Sequence, residues 1–374
     1  MDIVHAIMLS IPLSITGSIT WLIREYRLMI TTNRVTIKEV ARLAGVSTQT
    51  VSRVLNNRPD VSPDTRQRVQ DVIQRLGYRP SAVARSLIQQ RSYTLGVITA
   101  GLKYIGPSMI LNGMTGEAEA QGYALLLKEL PGFEADDVEP IFQSLIARHV
   151  DGIIWAVPEV GDNQRWLKQL SPDLPVPFIF LTAPPHSDLP SVDYDNYRGG
   201  RIATQHLLEQ GFRHIGHVSG PLEWLSARQR KEGWQDALRD VGIEAAPSSW
   251  VEGNWSSGSG ERVFSQLLDQ YPEMDAVFVA NDQMAIGVLQ VACRKAIKVP
   301  GELGVVGFDG LVESAYYWPP LTTVFQDLHT LGCTAVEKLV EIIESQRNGI
   351  VSQVVERLLL QPELVIRESS VKRV

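Results

Sequence analysis

Thr36-Ile-Lys-Glu-Val-Ala-Arg-Leu-Ala-Gly45-Val-Ser-Thr-Gln-Thr50-Val-Ser-Arg-Val-Leu-Asn56 is the stretch on which the fold turns. Thr36 and Glu39 form a capping box: a hydroxyl that accepts a free N–H of the first turn, and a carboxylate that reaches back. Ile37, Val40, Ala41 and Ala44 then recur at helical spacing and give one apolar face. Gly45 supplies the tight turn. Ser47 caps a second helix whose inner side is Val51, Val54 and Leu55.

Outward from this pair, Ser62-Pro63-Asp64 opens a third helix with a Ser cap, Pro at the first helical position and an acid in the first turn. Its inner face is Val69, Val72, Ile73 and Leu76, and Gly77 ends it. Residues 34–78 therefore predict a compact helix-turn-helix domain. Residues 79–91 predict a short basic linker, one helix too short to be stable alone.

From Tyr93 the rhythm becomes strand, helix, strand. Apolar runs at Leu95–Thr99, Tyr123–Leu127, Gly152–Val157, Phe178–Leu181, His214–Val218, Ala276–Ala280 and Val305–Phe308 alternate with amphipathic stretches. That pattern indicates parallel sheets covered on both faces. Its length asks for two α/β lobes with a cleft between them. The fold class expected is an all-α head on an α/β two-lobe body at 92–367, followed by a tail at 368–374.

Residues 1–33 differ from the rest. Ile3–Ile23 contains no Asp, Glu, Lys or Arg and is long enough to cross a bilayer, with Arg24 and Arg27 after it. Pro12, Gly17 and many Ser/Thr interrupt it. Two readings stand: a start downstream at Met29, or a membrane anchor.

The net charge of −7 conceals an asymmetry. Residues 34–91 hold eleven Lys/Arg against four Asp/Glu, whereas residues 92–374 hold 22 against 36. A basic head on an acidic body confines nucleic-acid contact to one end. Two distant cysteines exclude a disulfide framework or metal cluster and fit a cytoplasmic protein. No glycine-rich nucleotide loop, nucleophile elbow or zinc-protease motif occurs, so no enzyme, cofactor or metal is expected.

On the second helix Thr48, Gln49, Ser52, Arg53 and Asn56 point away from the apolar side. Gln reads adenine, Arg reads guanine, and a Thr methyl packs on thymine, which suits a helix in the major groove. In the body, Thr99, Trp155, Thr182, Asn281 and Asp309 stand where strands end, which is where open α/β sheets bind ligands.

Val35–Asn56, Val61-Ser-Pro-Asp-Thr-Arg66 and Leu76-Gly-Tyr-Arg-Pro80 resemble the DNA-binding head of the LacI/GalR family. Gly220-Pro-Leu, Ser226-Ala-Arg228, Val279-Ala-Asn-Asp-Gln-Met-Ala285, Val305-Val-Gly-Phe-Asp309 and Pro319-Pro-Leu-Thr-Thr323 are similar to that family's body. The likeness spans about residues 35 to 367. It implies DNA contacts at Thr36, Ser47, Thr50, Ser62 and Ala84 as well, with Leu87 of the linker wedged into the minor groove. It also implies a sugar pocket of Arg228, Asn281, Asp309, Trp255 and Gln326. Ala100, Trp155 and Thr182 occupy further pocket positions but depart from the family's lactose-responsive members, which carry Ser, Asn and Asp there. The function implied is that of a transcription regulator, a repressor of carbohydrate-utilisation genes. It would bind a palindromic operator as a homodimer under control of a sugar or glycoside. A sugar-binding protein or a membrane-tethered sensor is the alternative.

Overall fold

The computed structural model describes residues 35–55, 57–78, 91–133, 138–161, 163, 166, 176–182, 189–349 and 357–372. The chain divides into two compact units, residues 1–90 and 91–374.

The head contains α1 (Ile37–Ala44), α2 (Thr48–Leu55) and α3 (Pro63–Leu76). Thr36 Oγ1 accepts the Glu39 N–H at 3.4 Å, Ser47 Oγ accepts Thr50 N–H at 3.0 Å and Ser62 Oγ accepts Thr65 N–H at 3.4 Å. Gly45 and Gly77 close α1 and α3 in the left-handed region that a Cβ disfavours. Val40, Val51 and Val69, one from each helix, are fully buried together. Each contributes on the order of 1.5–3 kcal/mol of hydrophobic stabilisation.

The body carries two six-stranded sheets. The first runs β11-β5-β4-β3-β1-β2, from β1 (Thr94–Ala100), β2 (Ala124–Leu130), β3 (Gly152–Ala156), β4 (Phe178–Leu181), β5 (Ser191–Tyr194) and β11 (Leu358–Leu360). The second runs β12-β10-β9-β8-β6-β7, from β6 (Ile215–Ser219), β7 (Trp250–Glu252), β8 (Ala276–Val279), β9 (Gly304–Asp309), β10 (Thr322–Phe325) and β12 (Glu363–Val365). Every pairing is parallel except β10 with β12. Helices α4 (Ile105–Ala120), α5 (Glu139–Ile146), α6 (Asn196–Glu209), α7 (Leu225–Arg239), α8 (Ser257–Gln270), α9 (Asp282–Arg294) and α10 (Leu328–Arg347) cover the sheets. Strands such as β3 and β8 are nearly continuous apolar runs because helices bury both of their faces.

Among the described residues the chain passes between the lobes after β5, after β10 and between β11 and β12. The crossings are tied together. Tyr194 Oη accepts the Asp327 N–H at 2.8 Å, and Asp195 N–H donates to Leu360 O at 2.9 Å.

Seven strands coincide with the apolar runs; β5, β7, β10, β11 and β12 do not. Three of these have only three residues, too short for a period, and β5 and β10 carry polar residues that break the run. The tail does not stand apart from the body. Ser369 Oγ donates to Val305 O at 2.6 Å, and Ser370 Oγ donates to Thr322 Oγ1 at 2.7 Å, both residues being fully buried. Among the described residues no helix is long and apolar enough to cross a membrane.

Candidate functional site

In the head, α2 turns Val51 and Val54 inward, which leaves Thr48, Gln49 and Arg53 exposed and Thr50 and Ser52 half-buried. Arg53 pairs with Asp60 at 3.4 Å across open solvent, a contact worth little and easily exchanged. Thr36, Ser47 and Ser62 all sit exposed at helix N-termini, where free N–H groups and the helix dipole favour phosphate. Asn56, Ala84 and Leu87 lie outside the described residues.

In the body a cavity of about 160 Å³ lies beyond the strand ends of both lobes. Thr182, Trp255, Asn281, Asp309 and Gln326 line it, as the sequence reading expected. Thr182, Trp255 and Asp309 share a further property: each has a positive φ (69°, 70° and 101°), the kind of backbone strain that collects at functional sites. Gly220 makes room for Trp255, because a Cβ there would stand 2.1 Å from the indole.

The polar groups of one lobe form a network. Asn281 caps α9: its Oδ1 accepts Met284 N–H at 2.8 Å and its Nδ2 donates to Trp255 O at 3.0 Å. Asp309 Oδ1 accepts Gln326 Nε2 at 2.8 Å and Arg230 Nη1 at 3.4 Å. Arg230 Nε donates to Asn196 Oδ1 at 2.9 Å, and Nη1 also donates to Ala280 O at 2.6 Å. The guanidinium lies 3.6 Å above the Phe308 ring. Burial lowers the Arg230 pKa and raises that of Asp309, and each charge counters the shift of the other. On the facing lobe Asp193, Tyr194 and Glu159 reach the cavity. Tyr104 and Trp224 meet at its rim in an edge-to-face contact, and Trp224 meets Trp255 in another.

Three expected residues do not line the cavity. Arg228 turns outward, with Nη1 donating to Leu222 O and Glu223 O, both at 3.0 Å. Arg230 takes the inward place, because two residues along a helix rotate the side chain by about 200°. Trp155 and Ala100 are fully buried in the core beneath, Trp155 packed 4.5 Å from the Trp166 ring. An alternating pleat that faces a helix layer leaves no path to the cleft for them.

Sequence reasoning missed Arg230, Asp193, Asn196 and Trp224. A carboxylate between Val192 and Tyr194 was the available signal for Asp193, since buried strands exclude charge without a reason. The sequence reading looked to position 182 for an acid and found Thr. Asp193 supplies one on the adjacent strand, where Leu181 pairs with Val192.

A capped helical head with an exposed polar helix, joined to a two-lobe binding-protein body, defines a DNA-reading regulator. Residues 36–81 match the model of bacterial regulatory proteins, lacI family, and residues 204–370 match a periplasmic binding protein-like domain. The chain is 34% identical to the HTH-type transcriptional repressor PurR of Haemophilus influenzae (strain PittEE) over 334 residues, covering 89% of this chain and 98% of that protein. It is 33% identical to the lactose operon repressor of Escherichia coli (strain K12), covering 83% and 86%. The lac repressor dimer bound to operator and the anti-inducer ONPF superposes with a TM-score of 0.79 at 32% identity, covering 91% of this chain and 100% of that one. The transcriptional regulator CelR in complex with cellobiose gives 0.65 at 31% identity, covering 90% and 100%. The chain belongs to the LacI family and is a DNA-binding transcription repressor, not an enzyme.

Proposed function

We propose that the chain binds a near-palindromic operator as a homodimer, and that a sugar or glycoside in the cleft lowers its operator affinity. Two buried cleft groups without hydrogen-bond partners among the described residues carry the ligand reading: the Trp255 Nε1 donor and the Asp193 Oδ2 acceptor. A hydroxyl donates and accepts, so a ring bearing several of them answers both. Trp255 and Trp224 offer flat faces for the C–H side of such a ring. The cellobiose complex of CelR supports the same ligand class.

The homodimer reading rests on Val312, Tyr316 and Trp318, which are 77%, 85% and 89% exposed on one segment of the body. Large apolar side chains left this exposed along one segment mark association surfaces, and a second copy is the occupant the lac repressor dimer supports. Control of the head through the linker at 79–91 follows from linkage: the ligand shifts operator affinity by its difference in affinity for the two states.

Fluorescence anisotropy with a selected operator tests the whole reading. Addition of the bound sugar is expected to release the DNA; tighter binding would reverse the direction of control.

A further inference from the structure

We propose that Asp193 sets the specificity of the cleft by accepting a hydrogen bond from an uncharged hydroxyl of the effector, so that anionic sugars are refused. The inference rests on the sugar reading above and narrows its ligand class.

Asp193 stands in the middle of β5 and is only 4% exposed. Its Oδ1 accepts the Tyr194 N–H at 2.7 Å. Among the described residues its Oδ2 has no hydrogen-bond donor, although the residue lines the cavity. The Arg357 guanidinium, just ahead of the neighbouring strand β11, is 3.8 Å from Oδ2. At that distance it balances charge without filling the acceptor. A buried carboxylate oxygen with a counter-charge but no donor is a vacant acceptor facing the ligand space. Burial pushes this carboxyl up to about 7, so a ligand donor is also what would hold it ionised.

The rest of the cavity wall argues against an anion. Glu159 lies on the same lobe as Asp193, and Asp309 on the facing one. Arg230 is the only Lys, Arg or His among the described residues lining the cavity. Its Nε and Nη1 are already given to Asn196, Ala280 O and Asp309. A phosphate or carboxylate would therefore face three acids directly, whereas the arginines that balance two of them, Arg357 at 3.8 Å from Asp193 and Arg228 at 4.0 Å from Glu159, stand behind the cavity wall and Arg230 is already held by Asp309. A neutral polyol meets the vacant Asp193 Oδ2, which one of its hydroxyls fills.

Isothermal titration of the full-length chain tests this with matched probes: cellobiose, methyl β-glucoside and methyl β-galactoside against glucuronate, galacturonate and glucose 6-phosphate. A neutral probe is expected to bind, with its anionic counterparts at least about tenfold weaker. Asp193→Asn is expected to weaken the neutral probe about tenfold, the loss of one charge-assisted bond, and to narrow the gap to the anions. Asp193→Glu, which keeps the charge, should keep the discrimination. Ligand-free operator binding shows that the variants are folded. An anionic probe that binds as tightly as its parent overturns the proposal, as does an Asp193→Asn chain with unchanged affinities. If none of the neutral probes binds, the sugar reading falls, and with it the role of Asp193 as acceptor of a sugar hydroxyl.

Discussion

Arg230 Nη1 lies 3.4 Å from Asp309 Oδ1, and this buried pair joins α7 to the end of β9 in the floor of the cleft. Removing one partner of such a pair leaves the other charge buried and costs about 3–5 kcal/mol. Arg230→Ala is therefore expected to lower the melting temperature and abolish sugar binding, while Arg228→Ala leaves both nearly intact. Calorimetry on the two variants decides the assignment. Loss of binding in Arg228→Ala, with retention in Arg230→Ala, would reverse it.

The head makes a separate prediction. Gln49 and Arg53 are exposed on α2, and among the described residues the pair of Arg53 with Asp60 is a surface contact that the fold does not need. Gln49→Ala or Arg53→Ala should cost about 1–3 kcal/mol of operator binding and relax selectivity at one base pair. Ser62→Ala removes the cap of α3 and should instead cost about 1 kcal/mol of head stability. Selection from a randomised operator pool separates the effects. Unaltered selectivity in both α2 variants would remove this helix from the groove.

Much of this was legible in the sequence, and the limits have physical causes. The caps at Thr36, Ser47 and Ser62 act within one turn, so local spacing reveals them. Asn281 and Asp309 lie just past long apolar runs, so the strand ends pointed to them. Arg230 and Arg228 share one helix and one residue type, and only the direction of the α7 face separates them. Asp193 joins the site through the alignment of β5 with β4, a pairing between short strands that no local pattern encodes. Trp155 shows the converse error: a strand end in sequence that proves to be core.

His217 offers a test by pH. It is wholly buried, stacked on Trp234 and Phe278, with Nδ1 2.9 Å from Phe278 O. Burial holds its pKa down to about 3. The unfolded chain binds this proton below about 6.5 and the folded chain does not, so this contribution to stability is lost as pH falls from about 6.5 to 3, at about 1.4 kcal/mol per unit. Asp193 and Asp282, both raised to about 7 by burial, act with the opposite sign: their contribution is present below about 3.9 and lost as pH rises through 7. His217→Phe should gain about 2 kcal/mol at pH 5 relative to pH 8 when compared with the parent. Urea unfolding at both pH values measures it, and an identical pH slope in the two chains would refute the neutral buried imidazole.

The association surface is tested by charge. Trp318 is 89% exposed, so its side chain adds little buried area to the body. Trp318→Glu should leave the melting of the body almost unchanged and convert a dimer to monomers, with weaker operator binding because two heads no longer act as one. Sedimentation equilibrium reads this directly. A variant that stays dimeric places the interface elsewhere on the body.

Arg91 marks the point in the sequence where the linker meets the body, and its surroundings are unusually rich. It hydrogen-bonds Tyr123 Oη and Glu344 Oε1, and its Nε lies 3.7 Å from Asp151 Oδ2. Its guanidinium is 4.2 Å from the Tyr93 ring centroid and 5.2 Å from that of Tyr123. Asp151 in turn accepts the backbone N–H groups of Ser92 and Tyr93 at 3.0 and 2.8 Å, which fixes the chain as β1 begins. The control of the head proposed above would have to pass through the chain at this point, and these contacts hold Arg91 to the body. Arg91→Ala removes a partly buried cation–π contact and an ion-pair network, together about 1–3 kcal/mol, or roughly 2–10 °C of melting temperature for a body of this size. Ligand affinity should be unchanged, because the cleft lies at the other end of β1. The ratio of operator affinities without and with ligand should shrink several-fold. Titration calorimetry for the ligand and anisotropy for the operator give the two numbers. A lowered melting temperature with an unaltered ratio would show that Arg91 stabilises the body without transmitting the signal.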